Sequence, residues 1–298
     1  MLIASCIKQL FFLLCTLHCL SRVIFNGEVF INERVNNILQ QTLYRWRSWN
    51  RTNRCHLDFR PVVQCKLSDG LTNHSFLVAA ADQRAVVRVN CAHASLLGID
   101  RSREIDILTL LADSKLVPKV LYINDKVMVS EYINGAKLTK AMLENPHLRS
   151  QIKKNLKEIS SFFSSHERRF SYLIHCESYL KQLMREQLQL VDISQLLSLA
   201  EYIDSEDWAP SLCHHDLVRE NVLVSDGGVH FLDWEYAAMG HPAYDWVSLF
   251  GNEFSLDEMD CGPVSLEMWQ LLSNFQRELD KLWRILNMKL IENFESGR

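Results

Sequence analysis

Leu212-Cys213-His214-His215-Asp216-Leu217-Val218-Arg219-Glu220-Asn221, followed by Val222 to Leu232 and then Asp233-Trp234-Glu235-Tyr236, is the stretch that decides the fold of this 298-residue chain. Between Asn221 and Asp233 two apolar runs, Val222-Leu223-Val224 and Val229 to Leu232, flank the turn signal Ser225-Asp226-Gly227-Gly228, which spells a β-hairpin. A turn centred on Gly227 predicts Asn221 directly opposite Asp233, and such neighbours lie about 5 Å apart at Cβ. One amide oxygen and one carboxylate then converge at the open end of the hairpin, a donor pair suited to Mg²⁺, which prefers hard oxygen ligands. Asp216, five residues before Asn221 on the connecting loop, is placed to accept a proton from an alcohol that attacks a γ-phosphate.

Composition sets the outer limits. A 48% apolar chain of this length can bury a large core, and a formal net charge of −4 lacks the basic surface that nucleic-acid binding demands, so no nucleic-acid partner is expected. Nine cysteines, at 6, 15, 19, 55, 65, 91, 176, 213 and 261, have no paired zinc spacing and read as reduced thiols. Leu10 to Leu20 is strongly apolar after Lys8 but is short for a membrane span. An added N-terminal helix or an early start codon is expected there, with membrane association through residues 1–25 as the lesser alternative. The basic and aromatic run Tyr44-Arg45-Trp46-Arg47-Ser48-Trp49 can touch anionic lipid or pack on a domain, and packing is the preferred reading.

His-x-Asp, four residues, Asn, and then an apolar strand ending in Asp is the order of the catalytic and metal loops in protein-kinase-like enzymes. His214 to Asn221 together with Asp233-Trp234-Glu235-Tyr236-Ala237 resembles the choline/ethanolamine kinase family, especially its bacterial members, within the group of aminoglycoside phosphotransferases and thiamine kinases. The resemblance covers about Val62 to Phe254. It implies an α+β, protein-kinase-like bilobal fold with a small antiparallel-sheet N-lobe and a mainly helical C-lobe. The expected division is an extension at 1–54, an N-lobe at 55–131 and a C-lobe at 132–298.

The upstream parts occur in the order that such a fold requires. Val62 to Leu67 and Ser75 to Ala80 read as strands around a loop, Ser68 to His74, whose Gly70 and Asn73 sit where the family covers the nucleotide phosphates. Ala85-Val86-Val87-Arg88-Val89 is a strand with one cation, and Arg101 to Leu111 is a helix with Asp100 as N-cap. By analogy with the kinase ion pair, Arg88 engages phosphates and Glu104 is its partner. Strands at Lys119 to Ile123 and Val127 to Glu131 lead into Ser130-Glu131-Tyr132, which resembles the hinge where the adenine edge is met. Later helices carry core stripes, Ile152, Leu156, Ile159 and Phe163 on one and Tyr179, Leu180, Leu183, Met184 and Leu188 on another. The family implies a structural role for Asp245, steadying the catalytic loop.

The resemblance implies a cytoplasmic kinase of a small, cationic alcohol, choline or ethanolamine, using ATP and Mg²⁺, with Asp216 as base and Asn221 and Asp233 on the metal. Glu235, Tyr236 and Trp283 fit an acidic and aromatic cage for the acceptor, since aromatic faces receive quaternary ammonium groups. Two positions depart from the family pattern: its later Glu falls on Asn252, with Glu253 next, and Leu286 stands where a second Trp is expected. Thiamine kinase is the nearest alternative, followed by aminoglycoside phosphotransferase and then a kinase-like binding protein without catalysis.

Overall fold

The computed structural model describes residues 32–69, 72–162, 168–251 and 264–295. The apolar segment expected at 1–25, Gly70, Phe163, Asn252 and Glu253 lie outside the described residues. The chain divides into two compact units, residues 1–37 and 38–298. Helix α1, Glu33–Tyr44, supplies the described residues of the first unit and the opening of the second. Residues 38–54, read from sequence as part of an extension, belong to the second unit. Their buried Leu39, Leu43, Trp46 and Trp49 explain why, each removing a large apolar side chain from water.

A five-stranded antiparallel sheet follows, in the order β1-β2-β3-β5-β4. Its strands are β1 Val62–Asp69, β2 His74–Ala80, β3 Gln83–Val89, β4 Val120–Ile123 and β5 Val127–Glu131. The period of two decides which residues reach the site. Ala85, Val87 and Val89 are buried in the core face of β3, which leaves Val86 and Arg88 on the other face. The register Val86↔Ser130 and Arg88↔Met128 sets the matching residues of β5 beside them. Helix α2, Arg101–Leu110, crosses between β3 and β4, and its predicted cap forms: the Asp100 carboxylate accepts from the amides of Ser102 and Arg103.

After β5 come β6 Gly135–Lys137, helix α3 Pro146–Ser161, helix α4 Tyr172–Leu180, the single turn α5 Arg185–Leu188 and helix α6 Ile193–Ser205. Asn145 caps α3, with Pro146 at its first position, and Ile152, Leu156 and Ile159 are buried as their spacing predicts. The second stripe is corrected in part. Tyr179 is buried, but Met184 is 58% exposed because α4 ends at Leu180 and the periodic run is broken before α5 begins.

Strands β7 Ser211–Cys213 and β10 Ala238–Gly240 pair with each other, and β6, β8 Val222–Ser225 and β9 Gly228–Phe231 form a three-stranded sheet. The hairpin forms with a register one place from expectation: Ser225 pairs with Gly228 and Val222 with Phe231. Asp226-Gly227 is a two-residue turn, the loop length that an Asp-Gly pair favours. The last rung therefore joins the Leu232 amide to the Asn221 carbonyl at 2.8 Å, and Asp233 lies one residue beyond it. Helices α7 Tyr244–Phe250 and α8 Leu266–Glu295 complete the described fold. No helix among the described residues is long and apolar enough to cross a membrane.

Candidate active site

Arg88 is the centre of the site. Its guanidinium, buried between sheet and helix, reaches Glu104 Oε1 at 2.6 Å through Nη2 and Asp233 Oδ1 at 2.8 Å through Nη1. The expected Arg88–Glu104 pair is present, and Arg88 ties it to the end of the hairpin. Burial works against the charge of Glu104, but Arg88 and Arg101 pull harder and hold its carboxyl below the usual range. The geometry extends further through Arg101, whose Nη1 lies 2.7 Å from Glu104 Oε2 and 2.9 Å from Glu235 Oε2. A chain of alternating charges thus runs Asp233–Arg88–Glu104–Arg101–Glu235. Sequence reasoning missed Arg101; the three-residue spacing to Glu104 at a capped helix start was its available signal.

Glu235 is buried and fully engaged. Asn73 Nδ2 donates to it at 2.8 Å, and Thr72 Oγ1 approaches at 3.4 Å. Burial and the nearby Asp233 charge push its carboxyl up to about 7. Asn73 spends its other atom as well: Oδ1 accepts from the Cys91 amide and from Arg101, both at 3.2 Å. Asn73 and Glu235 therefore fasten the loop after β1 to the loop after β9. Both side chains thus join the charged network around Arg88 and Arg101.

Asp233 adopts a left-handed conformation, φ +65°, which Asp tolerates better than most residues. The turn swings its carboxylate out of the strand direction, and about a third of the side chain stays exposed. Asn221 Nδ2 donates to Asp216 Oδ2 at 3.0 Å and to the Asp216 carbonyl at 2.9 Å. That leaves Asn221 Oδ1 as an acceptor without a hydrogen bond among the described residues. An amide oxygen and a partly open carboxylate are hard donors that fit Mg²⁺, which usually takes few protein ligands alongside substrate phosphates. Asp216 itself is half-buried. Its burial and the charges of Asp233 and Glu235 raise its carboxyl to about 8, against the donation from Asn221.

The loop that presents Asp216 is held from behind. Asp245, at the start of α7, accepts from the amides of His214 at 2.6 Å and His215 at 3.1 Å. His214 Nε2 lies 2.8 Å from the Leu232 carbonyl, and burial pushes its imidazole down to about 4, so the neutral ring links the Asp216 loop to the hairpin. His215 also has a positive φ, +61°, and packs between Phe170 and Tyr244 with ring centroids 4.6 and 4.7 Å away. A Cβ on Gly240 would fall 2.3 Å from His215 Nε2, so only glycine fits there.

A cavity of about 330 Å³ opens beside Arg88. Its apolar lining includes Val86, Val120, Met128, Leu223 and Phe231, and its polar lining includes Arg88, Glu104, Asn221 and Asp233. The segment Ser130-Glu131-Tyr132-Ile133 forms one side. The buried Glu131 carboxylate accepts a hydrogen bond from Thr52 Oγ1, so a residue ahead of the sheet anchors the expected hinge. Tyr236 and Trp283 are not among the residues lining this cavity and meet each other, Trp283 Nε1 donating to the Tyr236 hydroxyl at 2.8 Å. Leu286, where the family pattern expects a second Trp, is fully buried in the core.

This is the architecture of the protein-kinase-like phosphotransferase fold: an antiparallel sheet and one helix bring a cation–carboxylate pair to a hairpin that follows a His-x-Asp loop. Its sequence profile is more specific. The chain belongs to the choline/ethanolamine kinase family, whose description matches residues 64–279. Human ethanolamine kinase 2 is 23% identical over 212 residues, 65% of this chain and 54% of that protein. The chain spans about half the length of the curated relatives it matches first. Among solved structures, LicA in complex with AMP superposes with a TM-score of 0.71 at 22% identity, covering 87% of this chain and 92% of that one. The choline kinase LicA from Streptococcus pneumoniae gives 0.66 at 20% identity, with the same coverage.

Proposed function

We propose that this protein is an ATP- and Mg²⁺-dependent kinase of a small cationic alcohol, choline or ethanolamine. One observation carries the reading: Arg88 joins Glu104 to Asp233 on the wall of a cavity that the 130–133 segment also lines. A nucleotide fits that cavity with its base among Val86, Met128, Leu223 and Phe231 and its phosphates toward Arg88. A relative of the same fold was solved with AMP, and others are described as choline and ethanolamine kinases, which supports the assignment.

When bound, ATP supplies the phosphoryl group and Mg²⁺ neutralises charge on its oxygens. Asn221 and Asp233 would hold the metal, with Arg88 beside them as a fixed positive charge. Asp216 accepts the hydroxyl proton as the alcohol oxygen attacks in line. Asn221 orients the Asp216 carboxylate through its amide, and Asp245 sets the loop backbone. Tyr236 and Trp283 offer the acceptor an aromatic face. Residues 55–131 and 132–298 serve as the two lobes, working in the cytoplasm where ATP is supplied.

A coupled ADP-release assay with choline, ethanolamine, thiamine and an aminoglycoside tests the proposal. Alcohol-dependent ADP release is expected with choline or ethanolamine. Preferential release with thiamine would reassign the acceptor, and no alcohol-dependent release with any of the four would overturn the kinase reading.

A further inference from the structure

The basic and aromatic run ahead of the sheet has no part in the proposed phosphotransfer, yet it builds a cavity of its own. A space of about 220 Å³ is lined by Trp46, Arg47, Trp49, Arg51, Cys55 and Leu57, with Asn50 and Leu121 completing it. Three observations bear on what it holds. The Trp49 side chain is only 7% exposed and its Nε1–H is buried without an acceptor. A buried unpaired donor is destabilising, so an acceptor in the cavity would satisfy a group the fold leaves open.

Arg47 stacks on the Trp46 ring, its guanidinium carbon 4.8 Å from the centroid, and neither Arg47 nor Arg51 has a carboxylate partner among the described residues. Finally, the charge is local. From Tyr44 to Arg60 five arginines, 45, 47, 51, 54 and 60, stand against Asp58 alone, in a chain whose net charge is −4. All five arginines are exposed. A positive patch on an acidic protein attracts anions specifically to that patch.

We infer that the Trp46–Leu57 cavity is a second anion site, taking a phosphoryl group between the guanidiniums of Arg47 and Arg51 and the indole N–H of Trp49. Planar guanidinium forks match the oxygens of a phosphate monoester, and the indole donates one further hydrogen bond. The same chemistry is offered by a soluble organic phosphate and by the headgroup of an acidic lipid. Asn50, Arg51 and Cys55 of the lining flank Thr52, which holds Glu131.

The test uses the full chain, Trp fluorescence and calorimetry. Inorganic phosphate is titrated in one arm. Vesicles of phosphatidylcholine with and without phosphatidic acid are used in the other. Saturable binding is expected in at least one arm, weakened about tenfold or more in Arg47→Gln/Arg51→Gln, the loss for charge-assisted hydrogen bonds. Trp49→Phe, a smaller aromatic that lacks the donor, should weaken it several-fold in a protein that stays folded, as far-UV circular dichroism reads. Binding of phosphate alone assigns a soluble ligand; binding only of the acidic vesicles assigns a headgroup. The kinetic constants for ATP and alcohol should not change in the double variant. Absence of saturable binding in both arms, or equal affinity in wild type and both variants, would overturn the site.

Discussion

Asp216 combines two demands at one carboxyl. As the proposed base it must be ionised to take a proton, yet burial and the facing charges of Asp233 and Glu235 raise it to about 8. The active form is the deprotonated one, so activity is present above that value and lost as pH falls through it. The expected kcat/KM profile has its acid limb near 8. Asp216→Asn should abolish that limb and lower kcat by about 10²- to 10⁴-fold with the KM for ATP little changed. A mutant with near wild-type turnover would remove Asp216 from the mechanism. On the acceptor side, Tyr236→Ala should raise the choline dissociation constant by roughly two- to thirty-fold, the range for a cation over an aromatic face. Calorimetry with choline and ATP checks this. Equal losses for both ligands, with a lower melting temperature, would make Tyr236 a packing residue whose hydroxyl is held by Trp283.

Elements explain which parts of the site were legible in the sequence. The strand carrying Arg88 and the helix carrying Glu104 follow from apolar period and an Asp cap, whereas their pairing was anticipated from the resemblance to kinases. The hairpin was readable as an element, but its register depended on whether the turn holds two or three residues. Asp226-Gly227 took the shorter form and moved Asp233 one place past the last rung. The bonds of Asn73 to Glu235 and of Thr52 to Glu131 were not legible, because each joins segments far apart in sequence and neither leaves a local pattern. Thr52→Val should therefore raise the KM for ATP more than it lowers kcat, which steady-state kinetics at saturating alcohol would measure. Gly240→Ala should be more damaging. Its methyl would occupy the place of the His215 ring, and overpacking of this kind typically destabilises by about 1–3 kcal/mol. Thermal unfolding together with kcat reads the result, and an Ala variant of native stability and full activity would contradict the packing described for the catalytic loop.

At the scale of the whole molecule, the order of parts in the sequence proved the strongest guide, since each motif of a bilobal kinase occurs in turn and the sheet and helices form around it. The start of the folded unit was harder to place. Residues 38–57 lack a strand pattern, yet Trp46, Trp49, Cys55 and Leu57 are each more than nine-tenths buried. A chain lacking residues 1–31 should keep its kinetic constants, because no residue of the proposed site comes from that stretch. Removal of residues 1–57 should instead lose the soluble fold, at about 1.5–3 kcal/mol for each large apolar side chain withdrawn from the core. Metal dependence belongs to the same scale, because it requires the loop and the hairpin together. Asp233→Ala should be inactive at ordinary Mg²⁺, while Asn221→Ala should recover in part with excess metal, the amide being the weaker ligand. The central claim is that the chain moves a phosphoryl group from ATP to an alcohol through Asp216. Phosphorus-31 NMR of ATP incubated with choline or ethanolamine measures this directly. A phosphomonoester signal growing in step with ADP in the wild type, and nearly absent with Asp216→Asn, is the predicted result; ADP accompanied only by inorganic phosphate, or a phosphomonoester formed equally by both proteins, would contradict it.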